Sequence, residues 1–322
     1  MKSIRTLSLF LAGAVVAGVA LMSLRPSPSL RPEMPQMLSF VSTPRFDHTI
    51  DVFGQKIDLS RYDRHERFER EMTNMCYAHT NTLLVIKRAN RLFPIIEPIL
   101  REEGIPDDMK YLCCIESSLN QRAVSPAKAA GLWQFIAETG RRYGLQIDTE
   151  VDERYSIEKS TRAACKYFRE AYEKFGDWNS VAASYNAGQA GISRRLKDQD
   201  ATTALDLLLV EETSRYMFRI MAMKTIMSDP YRYGFVIYSD QLYRPIRTSE
   251  VTVKQSITDI TAFAKKHGCS YFHLKEFNPW LRDSKLTVRP GKQYTLLIPE
   301  KDDMQYDGQP FKVHNKAWIV DK

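Results

Sequence analysis

A glutamate at the end of a predicted helix is the residue of this chain best suited to acid–base chemistry. A helical reading of residues 109–116 places Met109, Leu112, Cys113 and Glu116 on one stripe, at positions i, i+3, i+4 and i+7. Three of these side chains are apolar or soft, so the fourth, a carboxyl group, faces the core. Burial raises the pKa of a carboxyl group and lets it hold a proton near neutral pH. The alternative is a glutamate that bends out to solvent at the helix end.

Several other polar side chains also stand at the ends of apolar helical stripes. Buried polar groups need partners, so a set of them predicts a shared cleft rather than isolated core positions. Taken singly, Tyr185 is equally well a core aromatic, and Glu212 is more simply explained by an ion pair or a helix-end role. The set consists of Glu116, Gln134, Tyr185, Asn186, Glu212 and Tyr216.

Other common chemistries find no support in the residue patterns. There is no Ser-His-Asp, Cys-His or phosphate-loop arrangement, and the six histidines form no paired-ligand motif, so we predict neither a metal site nor a cofactor. The five cysteines show no metal-type spacing and are expected to be buried free thiols. A net charge of +7 suits an acidic polymer, but no motif favours nucleic acid.

The first residues have the features of a targeting segment. Lys2 and Arg5 precede an uncharged run over residues 6–24, whose length lies between a signal-peptide core and a membrane anchor. We therefore expect export to the cell envelope, with residues 1–24 acting as a signal peptide or an N-terminal anchor.

The remaining chain divides by composition into a linker, a helical domain and a small module. Five prolines mark residues 25–59 as a linker and short arm, and helical periodicity then runs over residues 60–235. Within that region, Pro94 is expected to open a helix, GLWQF at 131–135 to form another, and Ser156 to cap a third that ends at Gly176. Residues 248–300 are predicted to form strand, helix, helix, strand, and residues 301–322 a polar tail. The predicted class is mainly α, followed by a small α+β (βααβ) module.

An ordered set of motifs in the helical region is similar to a known enzyme family. ESSLN, SPAKAAGLWQF, ETGRRYGL, VDERY, FGDW and SYNAG follow one another over about residues 92–217, and ETSRY ends at Tyr216. The order and spacing resemble the lytic transglycosylases of the soluble-lytic-transglycosylase type, in particular the membrane-bound D branch. Ser184 and the pair Cys113-Cys114 depart from the residues usual in that family.

This resemblance implies a lysozyme-like α-helical domain that cleaves the β-1,4 bond between N-acetylmuramic acid and N-acetylglucosamine in peptidoglycan. Glu116 matches the family's single catalytic acid/base, and the product would be 1,6-anhydro-N-acetylmuramic acid. Substrate-binding roles are implied for Ser117, Gln134, Tyr185, Asn186, Glu212 and Tyr216. A retaining site with two carboxylates would need a second acid about 5 Å away. The acids of residues 148–153 are the place to look for one, although we expect them mainly to form a solvated loop.

The module over 248–300 resembles a LysM repeat. The matching features are VTV, AKKHG, the pair Phe277-Asn278, RPGKQY and LLIP, although KQSITD stands where the usual opening motif would be. LysM modules bind N-acetylglucosamine polymers, so the expected partners are peptidoglycan glycan strands in the periplasm, with possible membrane attachment through the N-terminal segment. Two alternatives remain open: a non-catalytic wall-binding scaffold, and a hydrolytic lysozyme or chitinase-like glycosidase.

Overall fold

The computed structural model describes residues 42–306, 308 and 310–321. The predicted targeting segment and the first part of the predicted linker lie outside the described residues. Among the residues described, none of the helices combines the length and the apolar character that a membrane span needs. Residues 44–322 belong to one compact unit.

The predicted fold class, mainly α with a small α+β module, is confirmed. A short antiparallel hairpin, β1 (Thr49–Val52) and β2 (Gln55–Asp58), precedes the helices. The eight helices that follow are α1 (Tyr62–Tyr77), α2 (His79–Glu102), α3 (Lys110–Ser117), α4 (Ala137–Arg142), α5 (Ile157–Phe175), α6 (Trp178–Ala187), α7 (Gln189–Asp198) and α8 (Glu211–Ser228). The module contains β3 (Thr248–Val253), α9 (Ile260–Lys266), α10 (Tyr271–Phe277) and β4 (Tyr294–Pro299).

Helix ends in the central region follow the capping residues of the sequence. The Ser156 hydroxyl accepts a hydrogen bond from the backbone N–H of Lys159 and starts α5, and Gly176 ends it in the left-handed conformation. Asp177 then caps α6 at once, through the N–H groups of Asn179 and Ser180. The short connection fixes the angle at which α6 leaves α5. Helix α8 packs against α1, α3 and α6 and is buried along most of its length.

Two predicted helix boundaries are wrong. Pro94 does not open a helix, because α2 continues through both Pro94 and Pro98. The two prolines are exposed and four residues apart, so their rings share the solvent side while residues such as Phe93 and Ile96 bury the other side. The tertiary contacts of that apolar side outweigh the local cost of proline.

The segment 131–135 is a set of turns and not a helix. Gly131 and Gln134 both have positive φ, +80° and 48°, which breaks helical geometry. A Cβ at Gly131 would lie 2.0 Å from the carbonyl oxygen of Arg154, so this position also requires glycine for close packing. Helix α4 begins only at Ala137.

The module is a two-stranded sheet covered by two helices. Strand β3 pairs antiparallel with β4, with Val251 opposite Leu296. The buried side chain of Asn278 bridges α10 and β4, because its amide donates to the carbonyls of Leu274 (2.8 Å) and Leu297 (2.7 Å). Three residues of the helical domain, Ala130, Val151 and Tyr155, belong to the same apolar cluster as the module's core.

The acidic loop 146–155 contacts the module, and its predicted exposure is wrong for Asp152 and Glu153, which are buried. Asp152 pairs with Arg154 (2.7 Å), and Glu153 pairs with Lys159 and accepts from the N–H of Gln146 (2.7 Å). The loop is covered because the module packs onto it. The N–H of Asp152 donates to the carbonyl of Trp280 (2.8 Å).

One buried amide binds the chain on both sides of the module. The Asn90 side chain donates to the carbonyl of Tyr243 (3.1 Å), before the module, and accepts from the N–H of His314 (2.8 Å), after it. Farther along, the Trp318 indole donates to the carbonyl of Met227 (2.8 Å). The tail therefore returns to the helical domain.

Candidate active site

Glu116 lies in the last turn of α3, at the end of a buried stripe. Met109, Leu112 and Cys113 are fully buried, as the periodicity predicts, and Glu116 itself is half-buried. Ser118 and Leu119 follow with positive φ values of 52° and 57°, so the chain turns away immediately after the glutamate. The carboxyl group is held at a helix end by the packing of the three residues behind it.

The environment of the Glu116 carboxyl group favours its protonated form. Burial raises its pKa to about 7, and the negative charge of Glu212 acts in the same direction. The Tyr216 hydroxyl donates to Glu116 Oε1 (2.5 Å) and, with the positive charge of Arg219, partly offsets that increase. A carboxyl group with such a pKa can give up and regain a proton near neutral pH.

Tyr216 belongs to the first turns of α8 and is buried. Burial, followed by the nearby Glu116 carboxylate, raises the pKa of its phenol well above the ordinary value. The phenol therefore keeps its proton and acts as a donor toward Glu116. Arg219 follows three residues later, one helical turn along, and was not singled out from the sequence, although that spacing could have suggested it.

Tyr185 on α6 holds the turn that contains Gln134. Its hydroxyl donates to the carbonyl of Trp133 (2.7 Å), and its ring packs edge-on against Tyr167, with centroids 5.0 Å apart. The Trp133 indole in turn donates to Thr161 Oγ1 (2.9 Å) on α5. These bonds connect α5, α6 and the 131–135 turn, so they position the backbone next to Gln134.

Gln134 uses its amide nitrogen within the turn. It donates to the carbonyls of Gly131 (2.8 Å) and Ala123 (3.2 Å). Because these two bonds fix the plane of the carboxamide, they also fix the direction of its oxygen acceptor.

Asn186 and Glu212 connect the end of α6 with the start of α8. The Asn186 amide nitrogen lies 3.5 Å from Glu212 Oε1, and the Thr213 hydroxyl donates to the Asn186 oxygen (2.8 Å). Thr213 was missed in the sequence, where nothing distinguishes it from an ordinary helix residue. Ser117, by contrast, donates within its own helix to the carbonyl of Cys113 (3.0 Å).

The two departures from the usual family residues are accommodated locally. Ser184 donates to the carbonyl of Val181 (2.8 Å) inside α6, and its own carbonyl accepts from the Tyr167 hydroxyl (2.6 Å). The thiols of Cys113 and Cys114 both lie near the carbonyl of Lys110, at 2.9 and 3.6 Å. All five cysteines are buried free thiols, as predicted.

Family comparisons match two separate parts of the chain. Residues 93–207 match the Transglycosylase SLT domain, and residues 249–302 match the Soluble lytic transglycosylase C-terminal LysM-like domain. The first segment contains Glu116, Gln134, Tyr185 and Asn186, and the second covers the βααβ module.

Two individual relatives are also similar to this chain. The membrane-bound lytic murein transglycosylase D of Escherichia coli K12 is 29% identical over 252 residues, which cover 76% of this chain and 54% of that protein. A putative tributyltin chloride resistance protein of Alteromonas sp. strain M-1 is 29% identical over 100 residues, covering 31% of this chain and 48% of that protein. The chain thus spans about half the length of these relatives.

Among solved structures, the soluble lytic transglycosylase Slt70 of Escherichia coli aligns over 52% of this chain and 31% of its own, with a TM-score of 0.39 and 18% identity. The resemblance inferred from the sequence motifs is confirmed by the two family matches. Residues 93–207 are thus similar to the transglycosylase SLT domain family, and residues 249–302 are similar to the LysM-like domains found at the C-terminus of soluble lytic transglycosylases.

Proposed function

We propose that this chain is a peptidoglycan lytic transglycosylase that cleaves the β-1,4 bond between N-acetylmuramic acid and N-acetylglucosamine. The observation that carries the proposal is the state of Glu116. Its pKa is raised to about 7, its carboxyl group accepts a hydrogen bond from the Tyr216 hydroxyl, and it lies within the segment that matches the SLT domain. The relative named lytic murein transglycosylase D supports the same activity.

In the proposed reaction, protonated Glu116 donates its proton to the glycosidic oxygen as the bond to C1 breaks, and the N-acetylglucosamine side leaves as an alcohol. The acetamido oxygen of the N-acetylmuramic acid stabilises the positive charge that develops at C1. The 6-hydroxyl of the same sugar then bonds to C1, and its proton passes to the Glu116 carboxylate. The product is the 1,6-anhydro sugar, and the enzyme returns to its starting protonation state.

The environment of the acids in the loop 146–155 supports a reaction in which none of them acts as a second catalytic carboxylate. Asp152 and Glu153 pair with Arg154 and Lys159, and Glu150 accepts hydrogen bonds from Thr287 of the module. A water-activating or nucleophilic carboxylate would have to be free of such partners and close to the sugar. The substrate's own hydroxyl is therefore our proposed nucleophile.

We assign the remaining site residues to binding the substrate or to positioning the groups that act on it. The fixed carboxamide of Gln134 and the Asn186–Glu212 pair would orient the sugars, and Tyr185 would hold the backbone beside Gln134. Ser117 and Tyr216 would hold the end of α3 and the carboxyl group of Glu116. In this proposal residues 60–235 act as the catalytic domain and residues 248–300 as a glycan-binding module, with a tail at 301–322.

We further propose that the protein works in the cell envelope, on the periplasmic side. The proposed substrate, the sequence of residues 1–24 and the similarity to a membrane-bound lytic murein transglycosylase all support this location. Residues 1–24 would serve as signal peptide or anchor, and residues 25–59 as linker and arm.

The decisive experiment is digestion of purified sacculi with the wild type and with Glu116→Gln, followed by mass spectrometry of the soluble products. Loss of a general acid lowers the rate by about 10²- to 10⁴-fold, whereas Glu173→Gln, at an exposed position of α5, should leave it unchanged. Anhydro-muropeptides, lighter by one water than hydrolysis products, are expected from the wild type.

Each alternative function gives a different product pattern. Equal release by the wild type and Glu116→Gln would contradict the catalytic assignment. Reducing-end products would indicate a hydrolase, and sedimentation with sacculi without soluble products would indicate a wall-binding scaffold.

A further inference from the structure

A basic groove lies beside the turn that follows Glu116. It is a cavity of about 160 Å³, lined on one side by Arg88 and Arg91 of α2 and on the other by residues 119–122, with Tyr243 and Glu276 completing the wall. Glu276 comes from helix α10 of the module, so the groove lies where the module meets the helical domain. The three arginines and one glutamate give its lining a formal charge of +2, as 3 − 1.

Two of the arginines are held by neutral groups. Arg88 Nη1 donates to the carbonyl of Ser118 (2.9 Å), and Arg91 Nε donates to the carbonyl of Arg244 (2.9 Å). The Arg91 guanidinium also lies over the ring of Tyr243, 5.7 Å from its centroid. These contacts orient the guanidinium groups without neutralising their charges. A guanidinium group has five N–H donors, so each arginine has donors beyond the one used in these bonds.

The single carboxylate in the lining compensates the third arginine. Glu276 pairs with Arg122 at 2.8 Å, and both side chains are about half exposed. Arg88 and Arg91 are three residues apart on one helix, where like charges repel each other. An anion bound between them would relieve that repulsion and accept hydrogen bonds from both guanidinium groups.

We propose that this groove binds a free carboxylate of the peptide stems that peptidoglycan carries on its N-acetylmuramic acid residues. The inference rests on the proposed function for the identity of the ligand, because a peptidoglycan strand presents such carboxylates beside the bond to be cleaved. Leu119 and Asn120, which line the groove, follow Glu116 by three and four residues, so the groove lies on the turn that leaves the proposed catalytic residue. The groove thereby selects peptide-bearing over bare glycan.

The test compares two substrates with the full chain: peptide-bearing glycan strands and the same strands after removal of the stems. Arg91→Gln should raise KM for the peptide-bearing strands by about tenfold, with kcat and the cleavage of bare strands unchanged. Arg101→Gln, an exposed position on the same helix, serves as the matched control. Glu276→Gln should lower KM, since it frees Arg122 to join the site.

A binding measurement separates failure of the groove from failure of the proposed function. A free stem tripeptide is titrated into wild type and Arg91→Gln, alongside the same peptide with its carboxylates amidated. Two results together support the proposed groove, even if no glycan is cleaved. The wild type binds the amidated peptide more weakly than the free peptide, and Arg91→Gln binds both peptides equally weakly. The proposed carboxylate site would be overturned if all variants cleaved both kinds of strand with equal KM, or if the wild type bound both peptides equally.

Discussion

The carboxyl groups of two regions of this protein differ in their hydrogen-bond and ion-pair partners. In the candidate active site, the Glu116 carboxyl group accepts a hydrogen bond from the Tyr216 phenol, and its pKa is raised to about 7. In the loop 146–155, Asp152 and Glu153 pair with cations and accept from backbone N–H groups. The two loop acids are thus held by cationic and backbone partners, whereas the hydrogen bond from Tyr216 only partly offsets the effect of burial on Glu116.

The largest effect on stability is expected where the two regions are in contact. Gly131, in the turn that contains Gln134, lies against the carbonyl of Arg154 and has φ +80°. Gly131→Ala should therefore lower the free energy of unfolding by about 3 kcal/mol or more, because strain and a backbone clash combine. Gly54→Ala, at φ +72° with open space around it, is the control and should cost only about 1 kcal/mol. Equal losses in chemical denaturation would show that the close approach is unimportant.

Replacing one acid from each region should change stability in opposite directions at neutral pH. The folded pKa of Glu116 lies above its ordinary 4.5, so its contribution to stability is full below about 4.5 and is lost as pH rises through about 7. The wild type should lose up to about 3 kcal/mol across that interval relative to Glu116→Gln. Glu153→Gln should instead be less stable than the wild type at pH 7, by about 1–2 kcal/mol, because it loses its Lys159 pair.

Denaturation curves at pH 5 and pH 8 provide the measurement. If Glu116→Gln gains no stability relative to the wild type on going to pH 8, the carboxyl group is not kept protonated by burial.

The third effect concerns the pH dependence of the proposed activity. The Tyr216 hydroxyl lowers the pKa of Glu116, so Tyr216→Phe should move the alkaline limb of the rate profile upward by about 1 pH unit. Tyr185→Phe removes a hydroxyl bonded to a backbone carbonyl and should leave that limb in place. Rates of sacculus digestion between pH 5 and 9 distinguish the two variants, and a downward shift for Tyr216→Phe would contradict the assigned donor.

The smallest effect is expected at the contact between loop and module. Glu150 accepts from the N–H (2.6 Å) and hydroxyl (3.0 Å) of Thr287 and lies 3.4 Å from Lys285. Glu150→Gln keeps an acceptor but loses the charge, so stability should fall by less than about 1 kcal/mol while hydrogen exchange at the Thr287 amide becomes faster. Glu138→Gln, an exposed acid of α4, is the control, and unchanged exchange in both variants would rule out the contact.

Helix ends that depend on neighbouring residues could be predicted from the sequence. Turns that depend on contacts with distant residues could not. Ser156 and Gly176 mark the two ends of α5 correctly, because caps act within one turn. The apolar stripe behind Glu116 predicted its partly buried position. The 131–135 turn could not be predicted, since it depends on the Arg154 backbone more than twenty residues away.

The sequence indicates candidate residues for the site, but it does not indicate the hydrogen bonds between them. Glu116 and Tyr216 are a hundred residues apart, and no periodicity indicates that they share a hydrogen bond. The polar composition of the acidic loop predicts a solvated segment, and the sequence does not indicate that Val151 and Tyr155 of this loop pack into the core of the module while Asp152 and Glu153 are buried. Roles for Ser117, Gln134, Asn186 and Glu212 remain predictions until variants are assayed.

The Asn90 amide binds the chain on both sides of the module to helix α2. A binding module on a flexible linker explores a volume that grows with linker length, and its effective concentration near the catalytic site varies accordingly. Here the chain is bound to one helix both before and after the module, at Tyr243 and His314. A glycan bound by such a module would lie at a fixed distance from Glu116. A module on a flexible linker would instead allow that distance to vary.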